Sequence, residues 1–315
     1  MAIPIENKIH NRKQQAIVLG LISALFFAFT FVLNRMMSVN GGSWIWSSVL
    51  RYVWMLPFFL IIVLLRKNLM PLLQQIKQKP WHWIIWSTVG FGVFYAPLTF
   101  AAAYGPSWLV AGTWQVTIVA GILIAPLISN NKAANKLKLS SFTYSGIILL
   151  GIVIMQVSEA TDISFKELLL GTVPVIIAAF AYPLGNRKMM QITNGSLDAC
   201  QRILGMIICS IPFWIFLSGF GLFVEKSTPE ESQYLQTLVV AIFSGVVATV
   251  LFFTANDKVR NDEGSLAAVE ATQSAEVLFA LVGEVLLLNA HLPGVLSFAG
   301  IGLVITGMIL HSIKG

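Results

Sequence analysis

Ten apolar runs of membrane-spanning length constrain this chain more than any other feature. A helix needs about 20 apolar residues to cross a hydrocarbon core of about 30 Å. Such runs occur near 15–36, 44–65, 81–102, 106–128, 141–157, 168–190, 197–219, 235–256, 265–288 and 293–312. Backbone polar groups in lipid must be satisfied inside a helix or a closed barrel. These runs are too continuous for the alternating strands of a barrel. The expectation is an all-α membrane protein of ten transmembrane helices. Hydrophobic residues at 57% and charged residues at 11% leave too little polar surface for a soluble domain of this length.

The few charges sort by gap. Lys8, Arg12 and Lys13 precede the first run; Arg66, Lys67, Lys77 and Lys79 fill the second gap. Lys132, Lys136 and Lys138 fill the fourth, Arg187 and Lys188 the sixth, Lys258 and Arg260 the eighth, and Lys314 follows the last run. In a ten-span arrangement all of these fall on one side. The opposite gaps hold Lys166 and Lys226 against Glu159, Asp162, Glu167, Glu225, Glu230 and Glu231, with Arg35 at a helix end. Cytoplasmic loops are enriched in Lys and Arg, so both termini are expected in the cytoplasm of a multi-pass plasma-membrane protein. A net charge of +6 distributed this way follows topology and gives no reason to expect a nucleic-acid partner.

The first run is too long for the apolar core of a signal peptide and no small-residue cleavage site follows it, so it is expected to be retained. Cys200 and Cys209 fall in one run, which suits buried free thiols rather than a disulfide framework or a metal site. Trp44, Trp46, Trp81, Trp83 and Trp86 cluster at run starts, as an interfacial aromatic belt would.

The two halves resemble each other. Asn34-Arg35 ends the first run and Asn186-Arg187 ends the sixth. Arg51 and Pro57 in the second run answer Arg202 and Pro212 in the seventh. Gly105-Pro-Ser opens the fourth as Gly264-Ser opens the ninth, with Thr113 matched to Thr272 and Thr117 to Glu276 at the same offset. Five spans is an odd number, so the second half enters the membrane from the opposite side. That predicts two inverted five-helix repeats, residues 1–158 and 159–315, a pattern of secondary transporters that bind substrate between the repeats near mid-membrane.

Here the chain resembles the drug/metabolite transporter superfamily with its EamA-like repeat, and most closely the multidrug resistance efflux transporter subgroup. The resemblance rests on Arg51 and Arg202 early in the second helix of each half. It rests also on the pair Gly283-Glu284 before a Gly-rich last helix, GVLSFAGIGLVITGMIL, and on the segment FFTANDKVRNDEGSLAAVEATQSAEVLFALVGEVLLL. It implies a membrane transporter across nearly the whole chain, each half an EamA-like unit. Two departures stand out. The first half reads ILIAPLISNN where a Gly-Glu pair would fall, and Glu276 stands where the family often has a proline. The first helix has no acidic residue, so the proton-and-drug site of the small multidrug resistance branch does not carry over.

Charges inside the runs are the functional candidates, since an intramembrane carboxylate costs about 2.5–3.5 kcal/mol on insertion scales. Glu270, Glu276 and Glu284 all lie in the ninth run. At about 1.5 Å rise per residue, Glu276 falls near mid-membrane, Glu270 nearer the cytoplasmic end and Glu284 nearer the outer end. Thr272 is one turn before Glu276 and Gln273 adjoins it, giving a polar stripe on an apolar helix. Such a carboxyl suits alternate binding of a proton and an amine; a packing hydrogen bond to a neighbouring helix is the structural alternative. Trp114 and Gln115, on the fourth run, are expected to face this stripe by repeat symmetry, and Tyr95, Tyr182 and Asn34 are further cavity candidates. Asp198, Arg202 and Glu270 are expected to form a charge cluster near the cytoplasmic mouth, as a gate or a brace. Arg51 lies comparably deep from the outer side, with Glu284 as its candidate partner.

No HExxH, GxSxG, P-loop or metal-spaced Cys/His pattern occurs, so an enzyme is not expected and neither cofactor nor metal is implied. The expected function is secondary transport, with a proton-coupled exporter of small amphipathic or cationic compounds as the leading reading. An exporter or facilitator of amino acids or other metabolites without proton coupling is the alternative. A membrane scaffold or sensor fits less well, because the gaps are short. The expected partners are a small-molecule substrate, a coupling proton and the lipid bilayer. Both repeats in one chain suit a monomer.

Overall fold

The computed structural model describes residues 5–128, 139–160, 164–259 and 263–314. Those residues contain helix and no strand. Eight helices among them are long and apolar enough to cross a membrane, and two more are apolar but shorter. In chain order they are α1 (Arg12–Val39), α2 (Trp44–Leu65), α3 (Pro80–Ala101), α4 (Ser107–Ile124), α5 (Thr143–Glu159), α6 (Phe165–Thr193), α7 (Ala199–Phe223), α8 (Glu231–Val259), α9 (Ala268–Leu288) and α10 (Val295–Leu310). The two shorter helices are α5 and α10. A further short helix, Leu69–Gln78, packs against α7 with Leu72 buried. Lys132, Lys136, Lys138, Asp162 and Arg260 of the charge pattern lie outside the described residues, as does the end of ILIAPLISNN.

Helix ends follow local chemistry. The first N–H groups of a helix lack intrahelical acceptors, and a side chain at the N-cap supplies one. Ser164 and Glu167 form a reciprocal capping box before α6, and Asp198 and Gln201 form another before α7. At the far ends, Asn194 (φ 44°) and Asn289 (φ 52°) adopt the left-handed conformation that stops α6 and α9.

Packing pairs the first five helices with the last five. The most extensive contact is α5 with α10; α2 lies on α7 and α4 on α9. Helix α1 packs against α8 and α9, while α3 and α4 pack against α6. Lipid tails are as apolar as the side chains, so close helix association depends on tight backbone approach. A methyl group on Gly151 of α5 would lie 2.7 Å from the carbonyl oxygen of Gly300 on α10, so only glycine allows this crossing. Large apolar side chains such as Ile215, Phe216 and Leu286 point outward, where a bilayer would meet them.

Four helices are irregular at matched points. Wide π turns interrupt α3 at Thr88–Val93 and α8 at Ala241–Ala248. Helix α4 breaks at Gln115, between the segments Ser107–Trp114 and Val116–Ile128. Helix α9 tightens to a 3-10 turn at Thr272–Ser274 before Ala275–Leu288 resumes. Such interruptions leave backbone groups free and recur at functional sites.

The aromatic belt expected at the run starts needs correction. Trp83 is fully buried, and Trp46 is buried with its Nε1 donating to the Ser227 carbonyl at 3.1 Å. Trp81 is the strongly exposed member. Cys200 and Cys209 are buried free thiols.

Candidate functional site

Glu276 opens the segment Ala275–Leu288, directly after the 3-10 turn of α9. It is 4% exposed, and its carboxylate makes no hydrogen bond and no ion pair with the described residues. Three aromatic rings pack together where α3, α4 and α6 meet. Phe94 of α3 lies 4.8 Å from Tyr182 of α6 and 5.1 Å from Trp114 of α4, and Trp114 lies 5.6 Å from Tyr182, between ring centroids. Tyr182 joins this cluster to the charges: Glu276, Arg51 and Arg202 all act electrostatically on its hydroxyl. An aromatic cluster within electrostatic reach of an uncompensated carboxylate is chemistry that suits a cation or an amine.

The polar stripe expected along α9 is divided. Thr272 Oγ1 donates to the Val269 carbonyl at 2.6 Å, and Gln273 Nε2 reaches Ser23 Oγ at 3.2 Å and the Gly20 carbonyl at 3.4 Å on α1. Gln273 thus ties α9 to α1 while Thr272 bonds within its own helix, and neither engages Glu276. The 3-10 turn is the reason, since it changes the angular spacing that an unbroken helix would give. Gln115 is 2% exposed and donates to the Ala111 carbonyl at 3.1 Å, so it serves the break in α4, while Trp114 belongs to the aromatic cluster.

The expected trio of Asp198, Arg202 and Glu270 is also divided. Asp198 caps α7 and lies 3.8 Å from Arg66. Arg202 keeps Asp198 as an electrostatic neighbour, with Asp257 and Tyr182, and its guanidinium sits 5.6 Å from the Phe253 ring centre. Glu270 faces Arg187 instead. Arg187 Nη1 in turn donates to the Gly121 carbonyl, which links α9, α6 and α4. Glu270 is exposed, unlike Glu276 and Glu284.

Arg51 and Glu284 do not meet. Glu284 Oε2 accepts from the Trp108 backbone N–H at 3.4 Å, at the start of α4, and has Arg35 as its cation. Arg35 Nη1 donates to the carbonyls of Ala102 and Ala103 at 3.2 and 3.0 Å. A cleft of about 420 Å³ lined by Arg35, Asn40, Glu284 and Asn289 opens above them. Arg51 instead donates from Nη2 to Ser244 Oγ at 3.2 Å and lies over the Tyr95 ring, 4.0 Å from its centroid. Sequence reasoning did not assign Phe94, Ser244, Arg187 or Arg35 to a site. The repeated Asn-Arg pair was the available signal for the last two. Both arginines anchor a helix end to another helix's carbonyls.

Apolar helices enclosing a polar, aromatic centre at broken helices define an integral membrane protein with a site in its core. The family model described as "EmrE: Putative multidrug resistance efflux transporter" matches residues 14–314, and the chain belongs to that transporter family. "Uncharacterized protein YjlA" of Bacillus subtilis strain 168 is 51% identical over 306 residues, 95% of this chain and 94% of its own length. "Protein PagO" of Salmonella typhimurium strain LT2 is 22% identical over 81% of each chain. One crystal structure of a protein superposes with a TM-score of 0.64 at 12% identity, covering 94% of this chain and 96% of the other. At that identity it speaks to the fold alone.

Proposed function

We propose that this protein is a proton-coupled exporter of small amphipathic or cationic compounds, acting as a monomer in the plasma membrane. Ten spans in two inverted repeats, 1–158 and 159–315, with both termini cytoplasmic, form its frame. The charge pattern supports that topology. The repeat is supported by the matched π turns of α3 and α8 and the matched breaks of α4 and α9. Secondary transporters bind substrate where interrupted helices meet near mid-membrane.

The observation that carries this reading is the unpartnered Glu276, whose charge acts on Tyr182 of the Phe94–Trp114–Tyr182 cluster. A carboxylate that holds a helix in place makes a hydrogen bond, and this one makes none with the described residues. It is free to take a proton in one step and an amine in the next. Both cannot occupy it together, and that exclusion couples the two movements.

The test is flux in proteoliposomes under an imposed pH gradient, screened with lipophilic amines. Glu276→Gln should abolish proton-driven flux while leaving the protein folded. Unchanged pH-dependent flux in that variant rejects Glu276 as the coupling site. Substrate movement indifferent to the gradient in the unmodified protein favours a carrier without proton coupling.

A further inference from the structure

Arg51 has no task in the scheme above. It lies within α2 and is 6% exposed. Its Nη2 donates to Ser244 Oγ at 3.2 Å, and Ser244 Oγ also meets Thr30 Oγ1 at 2.5 Å. Nε and Nη1 are buried without a hydrogen-bond partner. Those two nitrogens carry three of the five guanidinium donors. The rings of Tyr95 and Tyr52 lie 4.0 and 5.9 Å away and attract the charge, but they do not replace the oxygen acceptors of a carboxylate.

The intramembrane carboxylates are engaged elsewhere or stand apart. Glu284 caps α4 beside Arg35, Glu270 faces Arg187, and Glu276 makes no ion pair with the described residues. A buried cation without an anion is costly, and proteins keep one where something binds it. Around it stand Ser244, Thr30 and Tyr95, with Asn34 Nδ2 donating to the Tyr95 hydroxyl at 3.1 Å. Ser244 belongs to the π turn of α8, and Phe91, whose carbonyl accepts from Tyr52 at 3.5 Å, belongs to the π turn of α3. Arg51 therefore sits where both helices are irregularly wound.

We infer that Arg51 is an anion subsite that takes a carboxylate of the transported solute, so that the substrate is an amine that also bears a carboxylate. This rests on the transport reading of Glu276. Arg51 and Glu276 both act on the Tyr182 hydroxyl from within the core, so one region of the bundle carries both a positive and a negative group.

The experiment is equilibrium binding to the purified full chain, using leucine, phenylalanine and glycyl-leucine, each paired with its carboxamide. The amide keeps the ammonium group and removes only the carboxylate. Each acid is expected to bind roughly tenfold or more tightly than its amide, since a buried donor set left unmatched loses affinity. Arg51→Gln should erase that preference, and Arg51→Lys should restore part of it. The acid–amide comparison in the unmodified protein needs no variant to fold. Amides that bind as well as acids overturn the proposal, as does an unchanged preference in Arg51→Gln. Displacement of the acids by chloride alone overturns it in favour of an inorganic ion. Proton-driven flux of simple amines that is indifferent to Arg51 leaves the Glu276 reading standing and sinks this one.

Discussion

Three carboxylates on one helix sit in three different environments, and their substitutions should separate accordingly. Glu284 accepts from the first N–H groups of α4 and faces Arg35, which is structural work. Glu284→Ala should lower thermal stability in detergent by about 1–2 kcal/mol, the usual worth of a helix cap. Glu276 has no such partner, so Glu276→Gln should leave the unfolding midpoint unchanged or raise it, because an uncompensated buried carboxyl destabilises the fold. An equal loss of stability in both variants would give Glu276 a structural role. The sequence made all three residues visible, because carboxylates are rare and costly inside apolar runs. It did not reveal their partners. Arg35, Arg51, Arg187 and Arg202 were all available in one dimension, and only helix packing assigns Arg35 to Glu284 and Arg187 to Glu270.

At the scale of the element, apolar run length found eight helices long enough to cross a membrane and two shorter apolar ones among the described residues, and boundaries followed caps such as Ser164 and Asp198. The interruptions were hidden. Neither Trp114-Gln115 nor Thr272-Gln273-Ser274 contains proline or glycine, so no local signal marks the break in α4 or the 3-10 turn in α9. Those interruptions come from tertiary contacts, such as Gln273 reaching across to Ser23. Helix α10 offers a contrast within one element. Gly300 meets the Gly151 carbonyl of α5, whereas nothing lies within 4 Å of a methyl group placed on Gly302, which is exposed. Gly300→Leu should therefore destabilise the α5–α10 crossing by about 1–3 kcal/mol through overpacking, while Gly302→Leu should be near neutral. Thermal unfolding of the two variants in the same detergent measures the difference. Equal effects would mean that helix propensity, rather than the close crossing, sets the response.

At the scale of the whole molecule, the two ends of the bundle are unlike. At one end Arg35, Glu284 and the start of α4 bind α1, α3, α4 and α9 together. At the other, Glu270 is exposed although it belongs to a membrane-length helix. Under the proposed topology the Glu270 end faces the cytoplasm. Paired cysteines test orientation and opening together, because Cys200 and Cys209 are buried and should stay silent toward a membrane-impermeant maleimide. Glu270→Cys should label quickly in inside-out vesicles and slowly in intact cells. Ser107→Cys, 1% exposed beneath Glu284, should resist labelling from both sides in the resting protein. Addition of Glu284→Ala should release it toward the outside, because the cap and its arginine no longer hold the four helices. Fast labelling of position 270 from intact cells would invert the topology. An unlabelled position 107 in the double variant would show that packing, and not the Glu284 cap, seals that end.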